Sequence, residues 1–322
     1  MSDMQKRMPL VETRDLKKYF NLRNKSQLHA VDGVSFQIYP GETLGLVGES
    51  GCGKSTVGNI VMRLLQPTSG QLLYRGEDIF AVNQTRSFEL RRKLQIIFQD
   101  PYSSLNPKQT VKTILSRAYE IQKIAYGKER EKRIYELCET TGIDTNLLNH
   151  YPHELDGGNR QIVGIARALS VDPEFIVCDE PVSALDVSVQ AKIINRLMDL
   201  QKERTLSYLF VSHDLSVVKH ISHRIAVMYL GQIVEIAQTD QIFACPMHPY
   251  TIALLSAVPR VDIDRKVERI ILKGDVPSPV DPKPGCRFAP RCWMACEDCK
   301  NCDPKLQELE PGHFVACPYA RS

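Results

Sequence analysis

Gly48-Glu49-Ser50-Gly51-Cys52-Gly53-Lys54-Ser55 reads G-x-x-x-x-G-K-[ST], and the residues on either side of it decide the fold. Thr43 to Val47, just ahead, is a short apolar run with the character of a buried strand. Thr56 to Leu65, just behind, carries Val57, Ile60, Val61, Leu64 and Leu65 at helical spacing, which predicts a helix. Strand, glycine loop and helix start come in the order that phosphate binding needs. Glycines let backbone N–H groups curl around phosphate oxygens, and the helix N-terminus adds partial positive charge. In such a loop Lys54 reaches the β- and γ-phosphates and Ser55 places its hydroxyl on Mg²⁺. Gly48 to Ser55 and Thr56 are the expected nucleotide contacts, with Cys52 a small filler rather than a nucleophile.

Outward from the loop, the chain alternates strand-like and helix-like runs. Val31 to Ile38 alternates apolar and polar residues as a half-buried strand does, and Pro40-Gly41-Glu42 predicts a turn before the next strand. Phe175 to Cys178 and Leu209 to Val211 are buried-strand runs separated by a helical stretch, Val189 to Lys202. That is the order of a parallel βαβ unit. Thr110 to Leu155 turns helical and polar, and Ile225–Tyr229 with Gln232–Ile236 predicts a hairpin turning at Leu230-Gly231. The run at Phe175 ends in Asp179 and Glu180: one acid to hold Mg²⁺, usually through water, and one to polarise an attacking water. His213 follows the Leu209 run, where it could reach a γ-phosphate. Gln99 follows the apolar run Leu94–Phe98, where it could sense Mg²⁺ and the water.

Composition sets the limits. The chain has 322 residues, 43% hydrophobic and 25% charged, and a net charge of +3 that gives no reason to expect nucleic acid as a partner. Met1–Leu10 is polar with no secretory core, and no run approaches a membrane span, so a cytosolic chain is expected. After about residue 250 prolines cluster. Six of the ten cysteines then fall between Cys286 and Cys317, and such clustering favours a metal or iron–sulfur site over disulfides. Chemistry alone does not choose four ligands from six, nor iron–sulfur over Zn²⁺ or free thiols.

Taken together, the motifs resemble the ATP-binding subunits of ABC transporters, and more narrowly the dipeptide/oligopeptide importer subfamily. The resemblance is carried by Gly48–Ser55, by Phe98-Gln99-Asp100-Pro101-Tyr102-Ser103-Ser104-Leu105-Asn106-Pro107, and by Asp179-Glu180-Pro181-Val182-Ser183-Ala184-Leu185-Asp186. His213, His248-Pro249-Tyr250-Thr251 and Gly274-Asp275-Val276-Pro277-Ser278-Pro279 add to it. It implies an α/β fold of the ABC type of P-loop NTPase: a mainly parallel core sheet, an antiparallel N-terminal β part, an inserted helical subdomain at about 100–170, and a small Cys-rich extension. Residues 1–250 would form the ATP-binding domain and 251–322 the extension. ATP would sit between the phosphate loop of one subunit and the signature loop of another, with Phe20, or failing that Tyr19, stacking on adenine. The implied partners are a second, paralogous ATP-binding subunit, two membrane permease subunits and an extracytoplasmic peptide-binding protein. The implied location is peripheral, on the cytoplasmic face of the inner membrane. Close relatives also carry nickel or other small solutes, and a soluble ABC ATPase uncoupled from transport is the competing class.

The signature departs from the family's usual L-S-G-G-Q: here it is Leu155-Asp156-Gly157-Gly158-Asn159. Both glycines remain, and Asp156 can cap a helix running toward Leu169 as well as serine can. An anion in place of a hydroxyl faces the partner's γ-phosphate, which implies an asymmetric pair of sites. For the cysteines, the resemblance implies a [4Fe–4S] cluster on Cys286, Cys292, Cys299 and Cys317, with Cys296 and Cys302 off-pattern.

Overall fold

The computed structural model describes residues 8–23, 25–258 and 269–320. These form two compact units. One holds the chain up to Tyr39, Thr43–Phe80 and everything from Val211 onward; the other holds Pro40–Glu42 and Ala81–Phe210.

In the first unit, β1 (Val11–Asn21) and β2 (Gln27–Ile38) pair antiparallel, Val11 opposite Ile38. Next comes β3 (Thr43–Val47), buried at every position, then the phosphate loop and α1 (Lys54–Val61). With β4 (Ser69–Tyr74) and β5 (Glu77–Asp78), the first two strands make an antiparallel sheet of order β2-β1-β4-β5. The helix predicted to reach Leu65 stops at Val61. Arg63 takes a left-handed φ of 57°, its N–H bonds Ile60 O at 2.8 Å, and Leu64 N–H bonds Asn59 O at 2.9 Å. Those two bonds close the helix as a Schellman motif does, and Leu64 is left exposed.

The second unit opens with α2 (Gln84–Lys93), β6 (Leu94–Ile97) and the short α3 (Pro101–Ser104). Helices α4 (Val111–Ile121), α5 (Gly127–Thr141) and α6 (Gly157–Leu169) follow, and no strand occurs among the described residues of 101–169. α6 buries Val163, Ile165, Ala166 and Leu169, and packs on α3, α4, α5 and β6. Next in the chain are β7 (Phe175–Asp179), α7 (Val187–Arg204) and β8 (Ser207–Ser212), the predicted βαβ order. β6 and β7 pair parallel, and the strand order is β8-β7-β6.

The chain returns to the first unit with α8 (Leu215–Ile221), β9 (Arg224–Tyr229) and β10 (Gln232–Gln238). The last elements are α9 (Thr239–Ala244), α10 (Pro249–Ser256), β11 (Gln307–Glu310) and β12 (His313–Val315). β3 pairs parallel with β9, β9 antiparallel with β10, and the order runs β11-β12-β10-β9-β3. The predicted hairpin turns at Leu230-Gly231, both residues at positive φ, as a type I′ turn demands. No helix among the described residues is long and apolar enough to cross a membrane.

Candidate nucleotide site and cysteine segment

The phosphate loop is closed by its own lysine. Lys54, only 5% exposed, donates from Nζ to the carbonyls of Gly48 at 2.9 Å and Glu49 at 3.0 Å. The backbone needs glycine at both ends of the curve. A Cβ on Gly48 would meet the carbonyl oxygen of Met228 at 2.1 Å, and one on Gly53, whose φ is 109°, would meet that of Ala30 at 2.1 Å. The β9–β10 turn is tied in as well, because Gly231 N–H donates to Cys52 O at 2.8 Å. Thr56 and Ser55 begin α1 half-buried, and Ser50 and Gly51 face solvent.

Two residues that sequence reasoning did not place at the site grip Glu49. Its N–H donates to Tyr250 Oη at 2.9 Å, and its carboxylate receives Arg291 Nη1 at 2.8 Å. Tyr250 belongs to α10 and Arg291 precedes Cys292, so both come from the C-terminal segment. The quoted stretch His248–Thr251 and the place of Arg291 beside Cys292 were the available signal. On the proposed adenine side, Tyr19 stacks on His29 at 3.9 Å and donates its hydroxyl to Asp32 at 2.5 Å, so its ring is already engaged. Phe20, half-buried on β1, has Lys18 Nζ 5.1 Å from its ring centre.

In the second unit β7 ends at the buried Asp179, and Glu180 follows at a left-handed φ of 45°. Such a backbone is strained for glutamate and is typical of functional positions. Gln99 Nε2 donates to Glu180 Oε2 at 2.9 Å, so the chain joins two of the three predicted catalytic residues. The third, His213, is exposed just past β8 in the first unit. The signature's departures from the usual motif answer each other. Asp156 caps α6 by accepting Asn159 N–H at 2.7 Å on one oxygen, and its other oxygen accepts Asn159 Nδ2 at 2.8 Å. A Cβ on Gly158 would meet Val189 at 2.8 Å, so the glycine lets the two helix starts approach.

Residues 31–183 match the ABC transporter family, and residues 234–299 match the family of the oligopeptide/dipeptide transporter C-terminal region. The chain is 53% identical over 321 residues to the putative oligopeptide transport ATP-binding protein YkfD of Bacillus subtilis, covering 98% of this chain and 97% of that one. The chain belongs to the ATP-binding subunits of oligopeptide/dipeptide ABC transporters. The dipeptide transport ATP-binding protein DppF of Haemophilus influenzae is 46% identical over 98% of each chain. Among solved structures, the dimeric bacterial ABC transporter cassette MJ0796 aligns with a TM-score of 0.65 at 28% identity, over 71% of this chain and 98% of that one.

Five of the six C-terminal cysteines line one cavity. Cys286, Cys292, Cys299, Cys302 and Cys317 surround it together with the buried Phe288. Gly285, at a φ of 101°, lets the backbones meet: a Cβ there would strike Lys300 O at 2.4 Å, and Cys286 N–H donates to Cys299 O at 2.8 Å. Burial pushes the Cys286 thiol up to about 11 and raises Cys292 and Cys317 as well, so these groups need a bound cation to become thiolates. Five thiols along one largely apolar wall are soft donors of the kind that iron or zinc takes. Among the described residues no three of them already stand grouped as metal ligands, and all ten cysteines are free. Off-pattern Cys296 lies with its sulfur 3.6 Å from that of Cys299.

Nearby, burial drops His248 to about 4, against the opposing pull of Glu235. The neutral ring accepts Tyr250 N–H on Nδ1 at 3.1 Å and so caps the helix that carries Tyr250 toward Glu49.

Proposed function

We propose that this subunit energises import of di- or oligopeptides, working beside a second, non-identical ATP-binding subunit. Two membrane permease subunits and an extracytoplasmic peptide-binding protein would complete the assembly, at the cytoplasmic face of the inner membrane. One observation carries the reading: an ABC region and an oligopeptide/dipeptide C-terminal region occur in order within a chain 53% identical to an oligopeptide transport ATP-binding protein over 98% of its length. In this reading residues 1–250 form the ATP-binding domain, with its helical part at about 100–170, and 251–322 the extension.

The residues then take these roles. Gly48, Glu49, Ser50, Gly51, Cys52, Gly53, Lys54, Ser55 and Thr56 bind the phosphates, and Phe20 stacks on the base. Ser55, Gln99 and Asp179 are the residues that would hold Mg²⁺, which would supply charge neutralisation. Glu180, oriented by Gln99, accepts the proton of the attacking water, and His213 contacts the γ-phosphate. Asp156, Gly157 and Gly158 complete the partner's site. Transfer of the phosphoryl group to water is mainly positioning and charge stabilisation.

Uptake of a labelled dipeptide by cells lacking the chain tests the transport reading: re-expression should restore it. Restored nickel uptake with peptide uptake unmoved would assign the subunit to another solute. A chain recovered from the soluble fraction with no permease attached would support the uncoupled ATPase class.

For the extension we propose a [4Fe–4S] cluster on Cys286, Cys292, Cys299 and Cys317, supplying a structural link between four distant positions. The shared cavity supports it. Anaerobically purified protein should be brown, hold about four irons per chain and lose melting temperature when the iron is chelated. Colourless, iron-free protein of full stability rejects the cluster.

A further inference from the structure

Between Cys286 and Cys292 three side chains reach other parts of the first unit. Phe288, 1% exposed, packs edge-on to Tyr229 with ring centres 5.3 Å apart. Arg287 donates to the carbonyl of Leu230 in the β9–β10 turn and to the carboxylate of Asp32. Arg291, whose side chain is 9% exposed, pairs with Glu49 in the phosphate loop. Asp32 also receives Tyr19, and Gly231 holds Cys52, so the same short loop is joined to both ends of the proposed nucleotide site.

The Glu49 contact has an electrostatic consequence. Glu49 is the second residue of a loop built to hold a triphosphate, and its carboxylate is an anion beside anions. The residue is fixed at three points: its N–H by Tyr250, its carbonyl by Lys54 and its side-chain carboxylate by Arg291. Without the guanidinium, the same carboxylate repels the phosphates and is free to swing.

We propose that Arg291 is a positioning residue of the ATP site: it neutralises and fixes Glu49, so nucleotide affinity is set partly by the cysteine segment. This rests on reading Gly48–Ser55 as the phosphate-binding loop. Direction and cause are both testable, because the repulsion disappears when Glu49 is itself neutral.

The experiment uses the full-length chain and MgATP, with affinity measured by equilibrium dialysis. Arg291→Met should weaken binding by about 3- to 10-fold. Adding Glu49→Gln to that variant should bring the dissociation constant back to within about 2-fold of the parent, a rescue that lost packing alone would not give. In the assembled transporter Arg291→Met should raise KM for ATP more than it lowers kcat. The chain's single tryptophan, Trp293, lies two residues from Arg291 and is 49% exposed, so it reports on the segment. Its emission should shift when MgATP fills the parent, a measurement that needs no variant to fold. Unchanged affinity in Arg291→Met, a double variant no tighter than the single, or a silent Trp293 at saturating MgATP each overturns the proposal. A parent that binds no MgATP would instead overturn the reading of the loop itself.

Discussion

Replacing Glu180 with glutamine should stop ATP turnover in the assembled transporter, by about 100-fold or more, and should leave MgATP binding intact. Glutamine has the shape of glutamate and can still meet Gln99, whose Nε2 stands 2.9 Å from Glu180 Oε2. What is lost is the base. The left-handed φ of 45° at Glu180 is kept by the surrounding fold, because the buried strand β7 precedes it and its carbonyl accepts Ser183 Oγ at 3.1 Å. The variant therefore separates chemistry from binding. Loss of turnover with unchanged ATP affinity supports the assignment, and turnover within about 3-fold of the parent rejects it. The same assembly tests the unequal pair of sites. Two like charges about 4 Å apart cost roughly 4 kcal/mol at an effective dielectric near 20, before Mg²⁺ and lysine offset them. On the proposed asymmetric reading Asp156 would weaken hydrolysis at the site it completes, and Asp156→Ser should raise total turnover by as much as about 2-fold, with the increase surviving Glu180→Gln. Two sites that already hydrolyse equally in the parent would end the asymmetric reading.

The sequence announced some parts of this site better than others, for physical reasons. Gly48–Ser55 and the run into Asp179-Glu180 were legible because phosphate binding dictates glycines and a lysine at fixed spacing, and because β3 and β7 are buried throughout and so read as unbroken apolar runs. The cap at Asp156 was legible from residue type, whereas the second bond, from the Asn159 side chain, is set by the fold and leaves no mark in the spacing. β1 escaped notice because Glu12, Arg14, Asp15, Lys17 and Lys18 fill it and its register slips near Asp15, where φ is 45°, erasing the alternation that marks a strand. β11 and β12 are too short to leave a pattern. Tyr250 and Arg291 reach the phosphate loop across about 200 and 240 residues of sequence, a separation no local periodicity encodes.

Glu235→Leu should destabilise the first unit by about 3–5 kcal/mol, a large share of the roughly 5–15 kcal/mol that holds a domain folded. Glu235 lies on β10 with no exposed surface, and three groups depend on its carboxylate. Met247 N–H donates to Oε1 at 2.8 Å, His248 N–H to Oε2 at 3.0 Å, and His313 Nε2 stands 2.7 Å from Oε1. Leucine fills the space and leaves two buried backbone donors and a fully buried imidazole with nothing to meet, each costing about 1–3 kcal/mol. Glutamine retains one acceptor oxygen and should lose about half as much. The damage extends past stability, because Glu235 fixes the turn ahead of α10, whose Tyr250 accepts the Glu49 N–H. The midpoint of urea unfolding should fall in the order parent, Glu235→Gln, Glu235→Leu, and ATP affinity should weaken in that same order at urea concentrations far below unfolding. A leucine variant within about 1 kcal/mol of the parent would show that the buried carboxylate is not what ties β10 to the segment carrying Tyr250.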